Sequence, residues 1–543
     1  MNRNKNIDRL NNEEFDICII GAGASGAGCA LDAALRGMKV AMIEKTDFAA
    51  ETSSKSTKLI HGGVRYLEQA FKNFDFAQLK QVKHGLEERH IVIQNAPHLA
   101  HALGLITPVF SWIQGLYFTI GLKLYGFFAK NDPLPTSQWL SKAETLARMP
   151  SLTQKIHSSV LYYDGQLDDA RYCLALAHSA DKAGAVVTNY TEVIDFQKDN
   201  ANKLILARIK DTISGKEINL KAKVFINCTG AFADNIRLMA NPSLNKRIRP
   251  SKGVHLMLPA EVLQSTDAML IPKTPDGRVV FAIPFEGDLM LGTTDNDYTE
   301  GHTEPHLLAT EVDYLLETLQ PFLDKKLDKT NVKGGFGGLR PLLLAGGSKN
   351  TKQLLRDHEV EKDEASGLIS LMGGKWTTYR IMAKDTIDLA ASLLQNTSPC
   401  STENHKLVGA TGYEPMAWQN IMTANNLAED ISKHLVAKYG SNAQAIAKMC
   451  QQKPSLATRL VEKYAFIEAE VVYQCQHEMA MTPRDVLARR MRLEFMDWQG
   501  AIMAAPKVTQ LMSQTLGWTD TQTQTATKQY INLVEQLVKA AKN

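Results

Sequence analysis

At 543 residues the chain is too long for one hydrophobic core, and about three domains is the natural expectation. A hydrophobic share of 44% with 22% charged residues is that of an ordinary globular protein, and a net charge of +3 is too mild to point to nucleic acid. The seven cysteines include no CxxC pair, which excludes a zinc ribbon or a cysteine-held iron–sulfur cluster and suits a reducing compartment.

The opening MNRNKNIDRLNNEEF is polar and lacks the apolar run of a signal peptide. FDICII, GAGASG, AGCALDAALR and KVAMIE then read as strand, glycine turn, helix and strand. Gly21, Gly23 and Gly26 form GxGxxG directly after the first strand, and Glu44 ends the second, 18 residues beyond Gly26. This is the dinucleotide fingerprint in its required setting: the glycines bring a pyrophosphate to the helix N-terminus, and the glutamate accepts from ribose hydroxyls.

From Ala102 to Leu122 there are 21 residues without a charge, but Pro108 and three glycines argue against a membrane span. A strand ending near Pro108 and a following helix fit better. Phe110, Ile113, Tyr117, Ile120, Leu124 and Phe127 then fall on one face, with Lys123 and Lys130 near its end. Such a face suits an internal amphipathic helix or one lying on a membrane surface.

Residues 160–240 return to alternating α/β character, with VFINCTGAFAD a buried strand ending in a turn at Gly230. The KRIRPSK knot (246–252) is either a solvated turn or a patch that steers anions or touches anionic lipid. Short β-like runs between 250 and 300 suggest an antiparallel sheet. GGFGGLRPL and then LISLMGGKWTTYRIMAKDTIDLA follow, the latter a strand turning into a helix at Gly374. After Pro399 the pattern is helical to the end. The fold class expected is α/β: a discontinuous dinucleotide domain (14–100, 160–240, 331–395), an antiparallel substrate or cap domain (101–159, 241–330) and a helical C-terminal domain (400–543).

The fingerprint alone does not choose between NAD and FAD. The loop ETSSKSTKLIHGG does: hydroxyls and amides suit a pyrophosphate, and the side-chain-free Gly62 and Gly63 suit the face of an isoalloxazine. A second glycine turn, at MGGKWTTYR, aims another helix N-terminus at developing negative charge. Two such turns about 350 residues apart favour FAD.

TSSKSTKLIHGGVRYLE, NCTGAFAD, KGVH, GTTD, GLRPL, LRDHE and GGKWTTYR, in that order, resemble the FAD-dependent glycerol-3-phosphate dehydrogenases, and KYGSNA and HEMAMTPRDVLARRMRLEF extend the likeness into the tail. Phe232 departs from the tryptophan usual in that family. The resemblance implies oxidation of sn-glycerol 3-phosphate to dihydroxyacetone phosphate, with hydride passing from C2 to flavin N5. It places Thr52, Ser53, Lys58, His61, Gly62, Gly63, Gly230, Gly374, Thr377 and Thr378 at the cofactor beside the fingerprint residues. Arg65, Tyr66 and Arg356 would hold substrate, and His255, Arg340 and Lys375 would stand around the reacting end.

His255 is the more comfortable base by its intrinsic pKa, and an arginine suits stabilising an alkoxide. From local sequence alone His255 is equally a packing histidine, and Arg489, Arg490 and Arg492 pair with carboxylates on a helical face. His477-Glu478 is not a zinc site, since position 481 is Met481. With no cysteine cluster to carry electrons, the expected acceptor is a membrane quinone, reached from a peripheral position on the inner face of the cell membrane; molecular oxygen is the alternative. An amino-acid or amine oxidase of similar fold would need fewer cations. The helical tail is a candidate surface for a homo-oligomer or a partner.

Overall fold

The strand Glu14–Ile20 lies between Val40–Ile43 and Glu217–Asn227, parallel to both. Ile369–Gly373 and Val186–Thr188 extend the parallel sheet on either side, and His358–Lys362 closes one edge antiparallel. A hairpin of Thr191–Lys198 and Leu204–Asp211 runs on from Glu217–Asn227. Strands covered on both faces need near-continuous apolar runs, which ICII and VAMI supply. The helices Ala24–Leu35, Asp169–Lys182 and Tyr379–Leu393 pack together on one face. The computed structural model describes residues 1–63, 76–128, 134–272, 274, 277–299, 304–344 and 358–543.

A second, mostly antiparallel sheet carries the order Asn296–Asp297, Ile248–Pro259, Asp288–Gly292, Val280–Phe285, Ala268–Ile271, Ala100–Val109, Ser158–Leu167, Leu59–Ile60. Gly334–Leu343 pairs with Ile248–Pro259 over ten residues. Leu59–Ile60 and Gly334–Leu343, and Ser158–Leu167 from residue 160 on, fall in stretches that the sequence assigns to the dinucleotide domain. The reason is physical: each leaves the parallel layer and finds its hydrogen-bond partner across the seam, a pairing no local pattern encodes.

The tail from Ala417 is helical, but it does not stand apart. Val471, Phe495, Ala504 and Met512 share one buried core with Leu256, Leu291 and Phe336 of the antiparallel sheet. Buried ion pairs add to this. Arg490 meets Asp47 at 2.6 Å, Arg171 meets Glu478 at 2.7 Å, Lys438 meets Asp168 at 2.6 Å and Arg492 meets Asp169 at 3.1 Å. Of the three arginines expected to pair along a helical face, only Arg489 does so, with Asp485 four residues earlier at 2.7 Å. Arg490 and Arg492 cross to other parts of the fold.

Ala100–Val109 is a strand and Trp112–Phe128 a helix, as the proline suggests. Trp112, Ile113 and Ile120 are 60%, 65% and 59% exposed, whereas Leu122 and Tyr125 are buried. Lys130 lies outside the described residues. The basic knot is mostly neutralised: Arg247 pairs with Glu359 and Glu361, Arg249 with Asp297, and Lys252 is buried against Glu311. Among the described residues no helix is long and apolar enough to cross a membrane.

Candidate active site

The parallel strands deliver their ends to one cleft, where Gly21, Glu44, Ser53, Gly230, Gly374 and Lys375 all line the wall. This is the crevice outside the carboxyl ends of an open α/β sheet. Gly26 is required by close approach, since a Cβ there would stand 1.9 Å from Gly21 O. Gly23 precedes the helix Ala24–Leu35 and offers no side-chain cap; Ser53 Oγ accepts instead from Ala24 N at 2.9 Å. Glu44 accepts from Ala22 N at 2.9 Å and from Thr46 N at 3.0 Å, which aims the carboxylate. Burial pushes its pKa up, against the pull of those hydrogen bonds. Phe232 lines the cleft with Lys45 Nζ 5.1 Å from its ring centre.

The hydroxyl loop ties the two layers to this cleft. Thr52 Oγ1 donates to Leu339 O at 2.7 Å, and Trp376 Nε1 donates to Ser53 O at 3.0 Å. His61 N donates to Thr377 Oγ1 at 3.3 Å, so the two glycine turns meet across 316 residues of chain. Thr378 Oγ1 donates to Lys375 O at 3.3 Å. Gly62 N donates to Tyr125 Oη at 2.8 Å, and Gly63 sits in the left-handed region at φ +93°. Arg65, Tyr66 and Arg356 lie outside the described residues.

His255 and Arg340 stand on neighbouring strands, His255 opposite Phe336 and Arg340 opposite Ser251. Arg340 folds back over Gly253, where an added Cβ would come within 2.4 Å of the guanidinium. It donates to Thr293 Oγ1 at 3.1 Å and Thr294 O at 2.9 Å. His255 is buried and stacks on Phe336 at 4.9 Å; its Nε2 lies 3.0 Å from Thr57 Oγ1, and Nδ1 has no partner among the described residues. Burial, then Lys58 and Arg340, push its pKa well below the usual value, which disfavours the charged ring.

Lys58, expected to touch the cofactor, instead turns its ammonium inward: Nζ donates to Ser54 O at 2.9 Å, Ser56 O at 3.1 Å and Asp169 Oδ2 at 2.8 Å. It also lies 4.6 Å from the centre of the Phe336 ring. Asp169 lies outside every motif, while Thr57, Phe336 and Arg492 fall within quoted motifs whose spacing does not say that they meet around His255 and Lys58.

Residues 16–388 match the family of FAD dependent oxidoreductases, and 400–523 match the C-terminal domain of alpha-glycerophosphate oxidase. The chain is 40% identical over 529 residues to the mitochondrial glycerol-3-phosphate dehydrogenase of Arabidopsis thaliana, an alignment covering 93% of this chain and 84% of that protein. The chain belongs to the FAD-dependent glycerol-3-phosphate dehydrogenase family. A probable mitochondrial glycerol-3-phosphate dehydrogenase of Dictyostelium discoideum is 41% identical, covering 96% of this chain and 84% of that one. The glycerol-3-phosphate dehydrogenase of Bacillus halodurans, solved with FAD, superposes with a TM-score of 0.80 at 27% identity, covering 99% and 97% of the two chains.

The residues present fit the family's cofactor. Gly26 keeps the turn free of side chains, the Ala24–Leu35 N-terminus faces the cleft, and Glu44 is oriented at its far end. Gly21, Gly23, Ser53 and Gly230, which line the cleft together, would hold the group there.

Proposed function

We propose that the chain oxidises sn-glycerol 3-phosphate to dihydroxyacetone phosphate and hands the electrons to a quinone at a membrane surface. The observation that carries the reading is the meeting of the two glycine turns, joined by His61 and Thr377, at a cleft beside the strand that bears Arg340. FAD, when bound, supplies the acceptor for the hydride leaving C2.

The chain's own groups do the rest. Arg340 and Lys375 supply positive charge where an alkoxide develops, and Arg65, Tyr66 and Arg356 are assigned to the phosphate dianion. With Nε2–H donating to Thr57, the buried Nδ1 of His255 is the ring atom left to receive the hydroxyl proton. The exposed apolar side of Trp112–Phe128 supports seating on a membrane, where a quinone would be met.

The test is anaerobic addition of glycerol 3-phosphate to the purified yellow protein. Bleaching of the flavin band, followed by faster return of colour with a quinone analogue than with air, is the expected result; a band that stays yellow sinks the proposal. Oxygen as acceptor is the second reading, favoured by the match of residues 400–523 to an oxidase domain, and faster return with air would select it.

A further inference from the structure

The loop Ser54–Lys58 is wound around the buried amino group of Lys58. Lys58 Nζ takes two carbonyls of its own loop, Ser54 O and Ser56 O, together with Asp169. Asp169 also accepts from Ser56 N at 3.0 Å and Ser56 Oγ at 2.7 Å. Arg492, from the C-terminal helical region, donates to Ser54 O at 2.6 Å and to Asp169 Oδ1 at 3.1 Å. Its guanidinium lies 4.8 Å from the centre of the Phe495 ring, Phe495 stacks on Phe336, and Phe336 stacks on His255. Thr57 sits between two pinned residues, with its hydroxyl against His255 Nε2.

We infer that Arg492, acting through Asp169 and Lys58, is a positioning residue for the reacting end: it holds the loop so that Thr57 fixes the orientation of the His255 ring. The tail is thereby part of the active-site support. The charged groups facing His255 are Lys58 and Arg340, and those facing Lys58 are Asp169, Asp168 and Arg492. Thr52 and Ser53, which line the cleft, keep their own bonds to Leu339 O, Ala24 N and Trp376 Nε1, so a small shift centred on Ser56–Lys58 would move Thr57 more than the cleft wall, and the damage should fall mainly on turnover. This inference rests on the proposed role of His255.

The experiment uses purified holoenzyme and a water-soluble dye as acceptor. Thr57→Val and Arg492→Met should each keep bound FAD and leave KM for glycerol 3-phosphate within about twofold, while kcat falls roughly tenfold to hundredfold. The pH profile of kcat should shift in both. The double variant should lose no more than the worse single one, because the two residues act through one contact. Should Arg492→Met fail to fold, Thr57→Val carries the test, since it changes only the group facing His255.

Unchanged kcat and pH profile in Thr57→Val overturn the inference. So does an Arg492→Met enzyme that loses stability but keeps kcat per bound flavin. His255→Asn separates the two levels. If it abolishes turnover while Thr57→Val does nothing, only the positioning inference falls; if it retains full turnover, the role of His255 falls and the inference with it.

Discussion

Gly26 and Lys58 differ in how far a linear reading reaches them. Gly26 belongs to a spacing whose geometry is local, so the turn, the helix and the cleft follow from a dozen residues. Its replacement tests that directly: in Gly26→Ala the new methyl collides with Gly21 O, a strain of about 1–3 kcal/mol, or a roughly tenfold to hundredfold weaker hold on FAD. Flavin absorbance per chain after dilution measures it. Lys58 lies in an equally legible loop, yet its ammonium is claimed by Asp169, 111 residues away. Arg490 and Arg492 are alike: adjacent carboxylates in the sequence suggest partners, and the fold supplies others. Contacts of this kind escape because they depend on which segments the sheets bring together.

The helix Trp112–Phe128 is read correctly as an element and only half as a surface. Periodicity marks a sticky face, but Leu122 and Tyr125 are the buried ones, and Trp112 and Leu116, absent from that face, are exposed. A short apolar helix offers hydrophobic residues all round, and which side faces inward depends on its seat against Ser158–Leu167. Replacing Trp112, Ile113 and Ile120 with serine should abolish co-sedimentation with phospholipid vesicles and leave dye-linked turnover within about twofold, since each apolar side chain inserted contributes about 1.5–3 kcal/mol. Co-sedimentation undiminished in the triple variant would remove this helix from the membrane contact. The strands Leu59–Ile60 and Gly334–Leu343 teach a related lesson. Gly334–Leu343 is legible as a strand but not its layer, and Leu59–Ile60 reads as loop until its partner Ser158–Leu167 is known.

Taken whole, the chain is cross-braced, so its parts should not melt separately. Arg490→Met leaves buried Asp47 without its 2.6 Å partner, and a loss of about 3–5 kcal/mol is expected in urea unfolding, in a single transition because the tail shares its core with the antiparallel sheet and its buried pairs cross to the parallel layer. Acid should act on the whole molecule too. Burial and then Arg171 push His98 down to about 3, from an ordinary 6.5. Between those values the unfolded chain binds a proton that the folded chain does not, so stability falls as pH falls, by about 1.4 kcal/mol per unit for this one group. His98→Asn should flatten that slope, read as unfolding midpoints at about pH 7 and about pH 5. The hydroxyl loop has the widest consequence. Thr52 grips one sheet while Ser53 grips the helix against the other, within two consecutive residues. A jaw-like rotation of one layer against the other would break both bonds at once, so the two slabs are expected to move as one riveted body.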